Sequence, residues 1–245
     1  MLKKEDIAYF NYSRKENKKF WRRIGQVPDF KDKSILDFGC GHGALSIDIA
    51  LSGAKFVHGI DLDEKHLKVA NENLEKNYQN LNQVIKFQKV DILRSDIDQK
   101  FDYVVSKDTF EHTVDLPEVL KKIYNSLNQG GKAFFGFGPL YNFYNGDHGR
   151  LNMRLPWFHL LFSEKFLIDR INKKENLNLK RIEDLGLSKY SFADYKKIID
   201  ESDFKVKYFK TNLSDHPISF IFNALSRIKF LKEFCTYNIY CILEK

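Results

Sequence analysis

The chain has 245 residues and a net charge of +7, and its 43% hydrophobic content is that of a globular protein with room for one sizeable core. Three scattered cysteines (Cys40, Cys235, Cys241) argue against a disulfide framework or a zinc site, and no run approaches the ~20 apolar residues of a bilayer span. The opening Met-Leu-Lys-Lys-Glu-Asp lacks the apolar stretch of a secretory signal, so a reducing cytoplasm is the expected location.

Residues 1–31 are polar and aromatic, with Tyr9, Phe10, Tyr12, Phe20 and Trp21 at roughly helical spacing. They predict a helical cap that packs on the domain edge or covers its ligand. Nine Lys/Arg oppose four Asp/Glu there. A solvated helix face explains that excess; a rim for an anionic substrate or nucleic acid is the rival, and no RNA-binding motif supports nucleic acid.

From 33 to 138, short apolar runs alternate with longer amphipathic ones. Strands are predicted at 34–38, 55–60, 84–89, 101–106 and 131–137, with helices at 44–52, 64–79 and 116–127. Asn128-Gln129-Gly130-Gly131 reads as a helix stop followed by a strand start. The pattern breaks at Pro139, where 139–172 is rich in aromatics, His and Gly. A helix near 192–202, a strand near 205–211, a second insert at 212–230 and a last strand near 236–244 follow. The expectation is an α/β fold with a doubly wound seven-stranded sheet and helices on both faces. The whole of 1–245 is one domain, in which 33–138 is the ligand-binding core and the two inserts form an acceptor pocket or lid.

The strand ends carry the chemistry, because a doubly wound sheet binds ligands there. The first strand runs through Asp37 into three alternating glycines, Gly39, Gly41 and Gly43. The second, third and fourth end near Asp61, Asp91 and Asp108. Asp61 lies 20 residues after Gly41, the distance at which an acid takes the hydroxyls of an adenosine ribose. Asp91 and Ile92 offer a carboxylate to an adenine amino group and an apolar wall to its ring. Gly39-x-Gly41-x-x-Ala44 also fits the dinucleotide fingerprint, but Asp37 beside a pyrophosphate would repel it, whereas it would attract an ammonium group.

The whole set resembles the class I S-adenosylmethionine-dependent methyltransferases, small-molecule type. The resemblance rests on Ile35-Leu-Asp-Phe-Gly-Cys-Gly-His-Gly43, Gly59-Ile-Asp-Leu-Asp63, Val90-Asp-Ile92 and Phe101-Asp-Tyr-Val-Val105. It continues through Phe110-Glu-His112 and Leu127-Asn-Gln-Gly-Gly-Lys132, covering roughly 33–138. Glu-His after the fourth strand looks like the branch that includes the quinone-pathway methyltransferases, and the chain's end looks like the antiparallel last strand of such proteins. The resemblance implies S-adenosyl-L-methionine as cofactor. Asp37, Gly39 and Gly41 would hold its methionine end, helped by the backbone near Lys107. Asp61 would take the ribose, Leu62 would lie against the adenine, and Asp91 and Ile92 would hold that ring. Cys40, inside the glycine turn, reads as a packing choice and not a nucleophile.

Transfer to oxygen or nitrogen also needs a proton acceptor, a role that suits histidine at neutral pH. His112, after the fourth strand, and His148, in Gly-Asp-His-Gly-Arg, are the catalytic candidates, with Asp147 as a partner that orients His148. Tyr141, Tyr144, Asp147, Trp157 and His159 are the acceptor-side candidates; ordinary lid packing is the competing reading for the aromatics and for His159. His42 is placed facing solvent or the cofactor. Trp157–Phe162 as a membrane-touching patch is disfavoured, because no basic cluster flanks it.

The sequence thus favours a methyltransferase acting on a small molecule at oxygen or nitrogen, with no metal and with nucleic acid disfavoured as a partner. An RNA or protein methyltransferase, a nicotinamide oxidoreductase and a non-catalytic S-adenosylmethionine-binding protein are the alternatives. Acceptor and oligomeric state are not encoded in any motif.

Overall fold

Short runs that are apolar throughout suit strands covered on both faces. Ser34–Phe38 (β1), with Ile35, Leu36 and Asp37 fully enclosed, pairs in parallel with Phe56–Asp61 (β2) on one side and Phe101–Lys107 (β4) on the other. Ile85–Lys89 (β3) extends the sheet beyond β2, and Leu127–Phe137 (β5) extends it beyond β4. Ile239–Glu244 (β7) lies antiparallel between β5 and Lys205–Thr211 (β6), which gives the order β3-β2-β1-β4-β5-β7-β6. The computed structural model describes residues 2–152 and 155–245.

Helices cover both faces. On one lie Lys4–Ile24 (α1), Ala44–Leu51 (α2) and Glu64–Asn77 (α3), over a core that includes Phe20, Trp21, Ile47 and Phe134. On the other lie Leu116–Ser126 (α4) and Phe192–Glu201 (α7), over Leu120, Phe135 and Tyr195. Between them in sequence come Phe158–Leu161 (α5) and Glu164–Glu175 (α6); Ser219–Leu225 (α8) and Lys232–Cys235 (α9) precede β7. Local chemistry sets the starts. The Asp63 carboxylate accepts the amides of Lys65 and His66 to begin α3, and Asp115 accepts that of Glu118 in α4, where Pro117 needs no partner for its nitrogen.

The seven strands and the antiparallel last one stand as expected. Two strand starts differ by three residues or more. β5 begins at Leu127, directly after α4, and a slip in register opposite Phe101/Tyr103 absorbs the residues read as a helix stop. The last strand begins at Ile239 because Thr236 turns its hydroxyl back to the Lys232 carbonyl at the end of α9.

The residues outside 33–138 build structure of their own. The cap is a single helix, α1, and several of its charges are neutralised within the fold: Arg14 by Asp48, Lys19 by Glu16, Arg22 by Asp215. The segments around α6 and α8 have small cores, one on Leu167, Ile171 and Ile182, the other on Phe143, Phe222 and Cys235. Among the described residues, no helix is long and apolar enough to cross a membrane.

Candidate functional site

The strand order reverses between β1 and β4, and the glycine turn leaves β1 there. A cavity of about 850 Å³ opens at that point, a size that takes a small-molecule ligand. Its lining brings together all nine predicted cofactor residues: Asp37, Gly39, Cys40, Gly41, Asp61, Leu62, Asp91, Ile92 and Lys107 border it.

The turn works through absent side chains. At Gly39 (φ +76°) a methyl group would collide with Thr109, which reaches back toward the Phe38 carbonyl. At Gly41 (φ +52°) a methyl would meet nothing within 4 Å, so the backbone there is bare toward the cavity. Asp61 fastens the turn to β2: one carboxylate oxygen accepts the Gly41 amide at 2.8 Å, the other the Asp63 amide at 2.9 Å. Each oxygen keeps a second lone pair for a ligand hydroxyl.

Asp37 is 1% exposed and accepts the Ser46 hydroxyl at 2.5 Å. Burial pushes its carboxyl up to about 6, against the opposing pull of Ser46 and Lys107. Lys107 itself donates to Asn17 at 3.0 Å, and its carbonyl accepts the Thr109 hydroxyl at 3.2 Å. Asp91 accepts the Leu93 amide and pairs with Arg94, while buried Ile92 lines the cavity beside it. Burial raises the Cys40 thiol well above its ordinary range, which keeps it an inert packing group.

At the other end stands His112. Its Nδ1 lies 2.7 Å from the Gly186 carbonyl. A carbonyl only accepts, so Nδ1 carries the hydrogen and Nε2 the lone pair. Burial, then His148 and Arg150, lowers this imidazole to about 4, so it is neutral at physiological pH. Glu111 beside it is 3% exposed, accepts the Gly138 amide with one oxygen, and is pushed well up by burial and Asp108.

The acceptor-side expectations fare differently. His148 does not border the cavity: its Nε2 bonds the Pro139 carbonyl at 3.0 Å and its ring packs on His112 at 4.9 Å. Asp147 does not orient it, because that carboxylate turns to the Leu151 amide. Tyr141, Tyr144, Trp157 and His159 also lie off the cavity. His159 is buried against the Tyr141 carbonyl at 2.6 Å, and Tyr144 stacks on Phe222 beside Trp157. Burying aromatic area outweighs exposing it to a polar cleft. His42 lies between the rings of Tyr9 and His66.

In their place the structure brings Tyr9, Tyr12 and Glu16 of α1, Arg23, Thr113 and Arg150. The aromatic spacing of α1 signalled the first two. Arg150 stood within the Gly-Asp-His-Gly-Arg cluster, and its charge was the unread signal.

The strand order and the glycine turn at its reversal are those of a doubly wound sheet that takes its ligand at the switch in strand order. Residues 29–135 match the family described as a methyltransferase domain. Over 112 residues the chain is 36% identical to ubiquinone biosynthesis O-methyltransferase of Coxiella burnetii, covering 46% of either chain. It is 35% identical over 120 residues to phosphoethanolamine N-methyltransferase 2 of Caenorhabditis elegans, covering 48% of this chain and 26% of that one. The match thus spans less than half the length of these curated relatives. Among solved structures, an S-adenosylmethionine-dependent methyltransferase from Mesorhizobium loti superposes with a TM-score of 0.59 at 16% identity, over 92% of this chain and 95% of that one.

Proposed function

We propose that this protein is an S-adenosylmethionine-dependent methyltransferase acting on a small molecule at oxygen or nitrogen. The observation that carries the reading is the convergence of Asp37, Asp61 and Asp91 on one cavity around the bare backbone of Gly41. An ammonium group suits Asp37, a ribose suits Asp61 and an adenine suits Asp91 with Ile92; a pyrophosphate suits none of them. Leu62 and the backbone near Lys107 complete the cofactor side.

When bound, the cofactor supplies a methyl group on a sulfonium, a carbon already activated for in-line displacement. The chain's task is alignment and the exclusion of water. Tyr9 and Tyr12 of α1 cover the cavity. His112 takes the acceptor's proton at Nε2, and His148 holds the His112 ring in place. A proton acceptor held near 4 is a weak base. An anionic acceptor beside Arg150 would offset that cation and strengthen it. The internal neutralisation of α1's charges favours a small acceptor over RNA, and the three free thiols fit a cytoplasmic location.

Titration calorimetry with S-adenosylhomocysteine tests the cofactor assignment. Micromolar binding is expected, and Asp61→Ala should weaken it about tenfold or more, since charge-assisted bonds contribute roughly 1.5–3 kcal/mol. No binding by the wild type, or equal binding by the variant, removes the reading.

A further inference from the structure

The second insert carries an apolar surface that the cavity does not use. Between β6 and β7 the chain leaves the sheet and forms α8 and α9. Phe222 and Cys235 point inward, onto Phe143, Tyr144 and Trp157 of the first insert. Leu225 and Leu231 pack partly buried beside them, whereas Phe220 is 78% exposed and Phe230 73%, and Ile218, Ile221, Ile228 and Phe234 are exposed with them. Six exposed large apolar side chains within 17 residues call for an explanation that scattered single ones would not.

The charge on this segment has one sign. From His216 to Lys232 there is no Asp or Glu, while Arg227, Lys229 and Lys232 are present. The two flanking acids are turned away. Asp215 pairs with Arg22 and Arg23, and Glu233 accepts the Phe192 and Ala193 amides at the start of α7. Among the described residues neither Arg227 nor Lys229 has a carboxylate partner, and Lys232 lies over the Phe192 ring.

We propose that residues 217–234 dock on a lipid bilayer bearing anionic headgroups. Phe220 and Phe230 enter the boundary between headgroups and acyl chains, and Arg227, Lys229 and Lys232 meet the headgroup charge. Charge decides between occupants. A second copy of the chain related by two-fold symmetry would set these cations against themselves. An anionic surface complements them along the whole segment. The proposal is independent of the methyl-transfer reading.

Flotation of the full chain with vesicles tests it. Binding is expected to phosphatidylcholine vesicles containing phosphatidylglycerol and to be much weaker with phosphatidylcholine alone. Phe220→Ser with Phe230→Ser, and separately Arg227→Glu with Lys229→Glu, should each lower the bound fraction about tenfold or more. All four positions are exposed, so melting temperature and S-adenosylhomocysteine affinity should stay unchanged. Protein that remains unbound with phosphatidylglycerol vesicles, or variants that bind like the wild type, overturns the proposal. So does Phe220-dependent dimerisation without lipid, seen by light scattering.

Discussion

Asp37 sits where burial opposes its charge and a cationic ligand would restore it. Its carboxyl, raised to about 6 in the ligand-free protein, lies above the ordinary value of 3.8. The group's contribution to folding is therefore complete below the ordinary value and is lost as pH rises through about 6. An ammonium beside it reverses the preference and favours the carboxylate. Binding of S-adenosylhomocysteine is thus expected to release a proton near pH 5.5, and its Kd to rise toward about tenfold per pH unit below 6. Calorimetry in buffers of different ionisation enthalpy measures the proton. Asp37→Asn should flatten the pH dependence and weaken binding at pH 7.5; an unchanged slope would detach Asp37 from the ligand. Asp37, Asp61 and Asp91 were legible in the sequence because a strand end has one position, set by the apolar run before it. Arg23 and Arg150 were not, because no periodicity says where a loop or a helix end brings a guanidinium.

At the scale of elements, α1 is what closes the cofactor side. Asn17, 2% exposed, accepts from Lys107 and donates to Asp48 of α2 at 2.8 Å, and Arg14 adds a second bond to Asp48 at 2.6 Å. One amide thus ties α1 both to the end of β4 and to the helix that follows the glycine turn. The two fastenings differ in worth. Asn17→Ala strands the half-buried Lys107 ammonium and removes one of the two partners of Asp48, a cost of about 1–3 kcal/mol. Arg14→Ala removes a partly exposed pair worth roughly 0.2–1 kcal/mol. Asn17→Ala should therefore lower the melting temperature several degrees and weaken S-adenosylhomocysteine binding, while Arg14→Ala should change both less. Calorimetric melting with a binding titration separates them; equal effects would mean that α1 is held by its apolar face alone. That face was legible in the spacing of Phe10, Phe20 and Trp21, but the polar ties were not, since Lys107 lies 90 positions from Asn17.

Across the whole molecule, what local pattern encodes and what it does not divide at Pro139. The sheet from β1 to β5 follows from alternating runs whose neighbours in sequence are neighbours in space. The inserts choose partners by shape: Tyr144 finds Phe222, and His159 finds the Tyr141 carbonyl. That choice drew the aromatics away from the cavity and buried histidines among them. Burial lowers five imidazoles, His42, His58, His112, His148 and His159, with His112 reaching about 4. A histidine held below its ordinary value contributes stability that is complete above about 6.5 and is lost as pH falls through the folded value. Asp37, Asp108 and Glu111, all raised by burial, work the other way, but they are three groups against five imidazoles. Between pH 6.5 and 4.5 the unfolded chain therefore takes up more protons than the folded one, and each net proton tilts stability by about 1.4 kcal/mol per pH unit. The melting temperature should fall steadily on acidification from 7 to 4.5, and His112→Gln should make that fall shallower even if it lowers the starting value. A melting temperature that stays level or rises on acidification would show that the carboxyls, and not the imidazoles, govern the acid response of this fold.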